Sequence, residues 1–320
     1  MPTKPLKISI CIVTFNHARY IEDCLASVVG QQVNADLEIL VGDDCSSDET
    51  RNIVSSFAQR YPDLVTPVFH PKNIGASHNY QYLINQADGD LIAHLDGDDF
   101  WLPGKLAAQI AFLEKNTQCV AVYANAIVIN DSGELIARFN GKLSEEFTLD
   151  SLLRKGNFLN TSSLLYRAKC KHELLAFKEE AIDFQYNLIL ANQGKLGYVN
   201  KVLVAYRKNS SSSMISSNLQ LVLTRYWQAI MFARTLQVDP VAIEQCAMRF
   251  YRDLIFSAIA RGDPSSIRGW AGKIIKDYPK ITRWMLLKSW GFLPIIFCKE
   301  IMRAVATLLF KGGAKILHDK

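Results

Sequence analysis

Four short apolar runs alternate with helix-spaced stretches in the first third of the chain, and three of them end in polar clusters. The first, Ile8-Ser9-Ile10-Cys11-Ile12-Val13, leads into Thr14-Phe15-Asn16-His17. Beyond it, Tyr20, Ile21, Cys24, Leu25, Val28 and Val29 follow the period of a helix. The second, Leu37-Glu38-Ile39-Leu40-Val41, leads into Gly42-Asp43-Asp44-Cys45-Ser46-Ser47-Asp48, with Ile53, Val54 and Phe57 on one face of the next helix. Residues 64–69 and 90–95 read as the third and fourth strands, with a helix over 80–87 between them. A helix over 104–115 and a strand over 120–129 follow. Neighbouring parallel strands need a long crossover, and a helix supplies it, so this alternation predicts βαβ units and a mostly parallel sheet. Ligands of such sheets bind beyond the carboxyl ends of the strands, which gathers the clusters after strands 1, 2 and 4 on one rim.

The fourth run carries the densest cluster, His94-Leu95-Asp96-Gly97-Asp98-Asp99-Phe100-Trp101, with three carboxylates in four residues. Carboxylates held this close repel one another and favour a counter-cation. Hard oxygen ligands at this spacing suit Mg²⁺ or Mn²⁺, shared with a substrate diphosphate. A solvated acidic turn is the plainer alternative. Two other nucleotide-binding patterns fail: no G-x-G-x-x-G follows the first strand, and no G-x-x-x-x-G-K-[ST] occurs.

At 320 residues and 49% hydrophobic, the chain has room for a large core or a core plus an appendage. Its seven cysteines are scattered without a CxxC, which reads as reduced thiols. No signal peptide follows Met1, so a cytoplasmic location is expected. The net charge of +5 is uneven: residues 261–320 hold 12 Lys/Arg against 4 Asp/Glu, while the first 260 hold 24 against 27. A basic end section implies an anionic partner, and without a nucleic-acid-binding signature a membrane surface suits better than nucleic acid.

In order, four segments resemble the motifs of family 2 glycosyltransferases: Thr14-Phe15-Asn16-His17-Ala18-Arg19-Tyr20-Ile21, Val41-Gly42-Asp43-Asp44-Cys45-Ser46-Ser47-Asp48-Glu49-Thr50, Asn73-Ile74-Gly75 with Asn79, and Leu95-Asp96-Gly97-Asp98-Asp99-Phe100-Trp101. The likeness is close over residues 7–115, looser over 116–213 and faint beyond. It implies a GT-A fold, an α/β Rossmann-like sheet with flanking helices, and inverting transfer of a sugar from a nucleotide-diphosphate sugar, a UDP-sugar by preference. Carried onto this chain, Thr14, Asn16, Asp43 and Asp44 would contact the nucleotide; a helix cap is the rival role for the two aspartates. Asp96 and Asp98 would hold the metal, Asp98 most directly, with Asp99 behind them or facing the sugar. Asp183, before the apolar positions Phe184, Tyr186, Leu188 and Leu190, matches the family's base, with Glu179 and Glu180 as fallbacks. Ile182 stands where the family commonly has Glu. Ser77-His78-Asn79 replaces a common Arg, which shifts diphosphate contacts towards the metal, Arg207 and Lys208. The mark of processive synthases, Gln-x-x-Arg-Trp, is missing, so one sugar is expected per acceptor.

The polar break at 209–213 suggests a GT-A domain over residues 1–213 and a helical C-terminal region over 214–320. Within its apolar section over 281–310, the longest uncharged run, 289–298, is too short to span a bilayer, which takes about 20 residues. Pro294 can open a last helix whose polar stripe is Lys299, Glu300, Arg303, Thr307 and Lys311. Such a helix suits an anionic membrane surface, or packing on the protein itself. With the resemblance, the membrane reading implies a glycan or lipid-linked oligosaccharide acceptor at the cytoplasmic face of a bacterial membrane, as in surface-polysaccharide synthesis. Two rival functions remain: a non-catalytic nucleotide-sugar binding protein on the same fold, and a sugar-1-phosphate nucleotidylyltransferase. The second would want a Gly-rich basic loop after the first strand, which Phe15-Asn16-His17 does not supply.

Overall fold

The computed structural model describes residues 5–208, 219–262, 265–291 and 315–318. The first half follows the alternation: β1 (Lys7–Thr14), α1 (Ile21–Val29), β2 (Asp36–Asp43), α2 (Thr50–Arg60), β3 (Val65–Phe69), α3 (Ala76–Gln86) and β4 (Leu91–Asp96). Then come β5 (Phe100–Trp101), α4 (Lys105–Lys115), β6 (Cys119–Ile129), β7 (Leu135–Asn140), β8 (Glu146–Phe147) and α5 (Leu149–Lys155). After α5 come β9 (Leu165–Arg167), α6 (Lys171–Ala176), α7 (Asp183–Gln193) and β10 (Lys195–Arg207). Among the described residues, four further helices, α8 (Leu219–Phe232), α9 (Pro240–Ala260), α10 (Ser265–Asp277) and α11 (Arg283–Trp290), precede the short β11 (Lys315–His318).

The strands join in the order β3-β2-β1-β4-β9-β6-β7-β11, and β10 runs along the other side of β6. The pairs β2–β3, β1–β2 and β1–β4 are parallel. β9 is antiparallel to both β4 and β6, so β4 and β6 point the same way, and β10 is parallel to β6. β1, β2, β3, β4, β6 and β10 therefore present their carboxyl ends on one rim, while β7 runs against them. Successive side chains alternate across the pleat. Ile8, Ile10 and Ile12 pack with Ile21, Leu25 and Val28 of α1, while Cys11 and Val13 join Tyr80 and Leu83 of α3 in a second cluster.

β10 runs as one strand from Lys195 to Arg207, irregular in register between Val199 and Val202. At the irregularity, the Asn200 amide exchanges hydrogen bonds with the Leu143 backbone in place of a ladder pair (2.8 and 2.9 Å). Helix was expected to the end of the chain, but β11 pairs parallel to β7, whose free backbone edge offers those bonds.

The polar break and the proposed tail helix over 295–311 lie outside the described residues. The helices α8–α10 extend the apolar cluster under α3 and α7. Phe184 of α7 stacks on Tyr226 of α8 (4.7 Å, 4°), Tyr226 on Phe250 of α9 (5.7 Å, 9°), and Phe250 meets the edge of Trp270 in α10 (5.1 Å). Arg154 of α5 pairs with Asp239 at the start of α9 (2.6 Å).

Candidate active site

Strand register brings the predicted residues together. Thr14 sits opposite Asp43, and Val13 opposite Asp96, so the ends of β2, β1 and β4 stand side by side. Thr14 is buried, with its hydroxyl 3.2 Å from His17 Nδ1. Asn16 takes a left-handed backbone (φ 54°), which Asn tolerates better than most residues. Its N–H donates to Ser46 Oγ (2.8 Å), and its Oδ1 accepts from the Ser47 N–H (2.9 Å). The turns after β1 and β2 are thereby stitched together.

The paired aspartates after β2 do different work. Asp43 is fully buried; its Oδ1 accepts from Ser46 N–H (3.0 Å) and Arg51 Nε (2.6 Å), and its Oδ2 has no partner. Asp44 spends both oxygens on the next loop, accepting from Ile74 N–H (2.7 Å) and Gly75 N–H (2.8 Å). Asn79 holds the same region from α3, donating to Gly42 O (2.7 Å) and meeting His70 Nε2 (3.0 Å).

Gly97 lets the acidic turn lie against β1: a Cβ there would come within 2.7 Å of Thr14 Oγ1 and 2.9 Å of His17 Nδ1. Asp96 Oδ1 meets His94 Nε2 at 3.1 Å, and Oδ2 accepts from Ser162 Oγ at 3.1 Å. Burial resists its ionisation, but the charge and hydrogen bond of His94 outweigh that and hold its pKa below the usual value. Asp99 is buried, and its pKa is pushed well up, first by burial and then by the charges of Asp98 and Asp96. Its Oδ1 accepts from the Arg207 N–H (2.7 Å), while Oδ2 has no partner. Asp98 is half-buried, with its carboxylate 4.0 Å from His17 Nε2.

Arg207, expected near the diphosphate, lies against the acidic turn. Its guanidinium stacks on Tyr20 (4.4 Å), and its N–H groups donate to the carbonyls of Asp98 (3.0 Å) and Asn130 (2.9 Å). The three carboxylates form a crowded acidic turn of hard oxygen donors. Among the described residues there is no preassembled group of three or more metal-ligating side chains. Such a donor set fits a Mg²⁺-like ion that completes its shell with phosphate oxygens and water.

Asp183 opens α7 and faces a cavity of about 230 Å³ whose lining also includes Asp96, His94, Thr161, Val222 and Tyr226. Its pKa is raised, first by desolvation from the side chains crowded around it and then by the charge of Asp96, although the residue keeps access to solvent. The fallback Glu180 is ion-paired with Arg225 of α8. Sequence reading passed over Ser162, His94 and the α8 residues. A clue lay in Asn160-Thr161-Ser162-Ser163, four polar residues between apolar neighbours, which once buried must find partners.

Residues 9–172 match the family described as glycosyl transferase family 2. The chain belongs to that family. It is 27% identical over 205 residues to an uncharacterised protein of Mycobacterium tuberculosis, covering 63% of this chain and 59% of that one. The chain thus spans about six tenths of the length of such curated relatives. It is 28% identical over 223 residues to the Escherichia coli UDP-Glc:α-D-GlcNAc-diphosphoundecaprenol β-1,3-glucosyltransferase WfgD, over 70% of this chain and 85% of WfgD. Staphylococcus aureus TarS 1–349, solved in complex with UDP-GlcNAc, superposes with a TM-score of 0.57 at 18% identity, over 78% of this chain and 73% of that one. The family 2 chain therefore has the GT-A fold anticipated from its motifs.

Proposed function

We propose that this family 2 chain transfers one sugar, with inversion, from a nucleotide-diphosphate sugar to a glycan or lipid-linked oligosaccharide. The observation that carries the reading is the shared cavity of Asp96 and Asp183, which sets a proton acceptor beside the acidic turn. In a single displacement, the acceptor oxygen bonds to the anomeric carbon as the bond to the diphosphate breaks. The nucleoside diphosphate leaves with the electron pair, and the acceptor proton passes to Asp183. A carboxylate with a raised pKa is a better base than an ordinary one. Mg²⁺ or Mn²⁺, held by Asp98 and Asp96, would neutralise the diphosphate as it leaves.

Asp43 Oδ2, buried and without a partner, suits a donor N–H or O–H such as a uracil imide or ribose hydroxyl, which favours a UDP-sugar. Thr14 stands beside Asp43 on β1, Asn16 ties the turns after β1 and β2 together, Asp44 holds the loop at Ile74 and Gly75, and Arg207 braces the acidic turn. The uridine and diphospholipid substrates in the name of WfgD point the same way. A cytoplasmic location and peripheral contact with an anionic membrane complete the reading. Among the described residues no helix is long and apolar enough to cross a membrane. The test is a thermal-shift screen of UDP-, GDP- and dTDP-sugars with and without Mn²⁺, on wild type and Asp98→Ala. A ligand at about 100 times its Kd stabilises the folded state by about 2.7 kcal/mol. A rise with UDP-sugars that needs both Mn²⁺ and Asp98 is expected; equal rises in Asp98→Ala would remove the acidic turn from the site.

A further inference from the structure

We infer that α8 forms the acceptor wall of this cavity, with Val222 selecting a pyranose acceptor and Arg225 and Tyr226 positioning the segment that carries Asp183. The inference rests on Asp183 being the base. Val222 and Tyr226 are four residues apart, one turn of α8, and both line the cavity together with Asp183 and Asp96. Neither residue lies within the family match, which ends at residue 172. The acceptor side is thus built by a segment outside that match.

The approach to Asp183, residues 177–182, contains no helix or strand and needs external fixing. On one side, Ser77 Oγ accepts the Ala181 N–H (2.9 Å) and meets Tyr186 Oη (3.0 Å). On the other, α8 supplies two fasteners. Arg225, largely buried, pairs with Glu180, three residues before the base. Tyr226 stacks on Phe184, the residue after the base, and its hydroxyl accepts the Asn157 N–H (3.1 Å). Asp183 is therefore bracketed by contacts to a single helix.

The lining indicates what the wall receives. Val222, Ile182 and Ala181 are apolar, while His94 Nδ1 is a buried polar atom without a hydrogen-bond partner and the Thr161 hydroxyl is turned towards the Asp183 carboxylate. A pyranose offers both C–H faces and hydroxyls, which suits that mixture. A pyranose hydroxyl bound beside Asp183 is the one whose proton the base removes, so this pyranose is the acceptor.

The experiment uses the full chain with a UDP-sugar, Mn²⁺ and a panel of octyl β-pyranosides as acceptor probes. Val222→Phe fills the wall and Val222→Ala opens it. One or two carbon groups in an apolar pocket change discrimination by about 10–200-fold. In Val222→Phe, the ratio of transfer to donor hydrolysis should fall at least about tenfold, through acceptor KM more than donor KM. Val222→Ala should reorder the pyranosides. Arg225→Gln and Glu180→Gln should lower kcat and move the acid limb of the pH profile, and the swap Glu180→Arg with Arg225→Glu should restore both. A wall that faced the donor would instead raise donor KM in Val222→Phe. Equal loss of transfer and hydrolysis, or a fall in melting temperature with an unmoved pH limb in the Arg225 and Glu180 variants, would overturn the inference. Wild type that neither binds nor hydrolyses any nucleotide sugar would instead overturn the reading of the site on which it rests.

Discussion

Asp96 and Asp183 line one cavity with their proton affinities pushed in opposite directions. His94 makes Asp96 the easier carboxylate to ionise against its partial desolvation, whereas desolvation by neighbouring side chains and the charge of Asp96 make Asp183 the harder one. A pair split in this way suits the proposed division between a metal-holding anion and a base. In the proposed transfer Asp183 must be ionised to accept a proton, which sets the sign of the pH dependence. Activity should fall as pH drops through its pKa, and that pKa lies above the ordinary carboxylate value of about 3.9. The acid limb of kcat/KM is therefore expected at a higher pH than an unperturbed aspartate would give. Asp183→Asn should lower kcat by about 10²–10⁴-fold while nucleotide-sugar affinity, read by thermal shift, persists. Loss of both together would make Asp183 a binding residue. Arg51 gives a separate test at the other end of the rim. Removing its hydrogen bond to the buried Asp43 should cost about 1–3 kcal/mol of stability. Arg51→Ala should accordingly shift the urea midpoint and weaken nucleotide binding.

Among the elements, the acidic turn and β1 depend on a close approach that only glycine permits. In Gly97→Ala the new methyl meets Thr14 and His17, and overpacking of this kind costs about 1–3 kcal/mol. The turn should lift away from β1, so nucleotide-sugar binding is expected to fall further than the melting temperature; a stability loss with normal binding would contradict that. The order β1 to β4 and the polar rim were legible in the sequence because each strand there has a helix as its crossover and both periods are strong. β5, β8 and β9 span only two or three residues each and carry no pattern that local reading can detect. Arg207 was visible as a cation at a strand end, but its stacking on Tyr20 depends on a partner far away in sequence. The same limit hid Ser162, which reaches Asp96 across 66 residues.

The whole molecule adds a surface that the rim does not explain. On α11, Trp284 is 65% exposed, Leu287 60% and Trp290 41%, and Arg283 and Lys288 are exposed beside them. Leu286 and Ser289, on the other face, are buried. Residues 265–291 contain six Lys/Arg against one acidic residue, Asp277, which is engaged by Lys273 and Trp227. Exposed Trp and Leu flanked by basic residues match the composition of a helix lying in the headgroup region, where each cation near an anionic surface contributes about 1 kcal/mol. The chain should sediment with phosphatidylglycerol vesicles, less so as salt rises, and poorly with phosphatidylcholine. Trp284→Ala with Leu287→Ala should weaken that binding, as should Arg283→Gln with Lys288→Gln. Transfer to a short soluble acceptor should be spared, because α11 contributes nothing to the cavity lining. If a second copy of the chain covers this face instead, wild type will dimerise with concentration, the aromatic variant will not, and vesicles will make no difference to either.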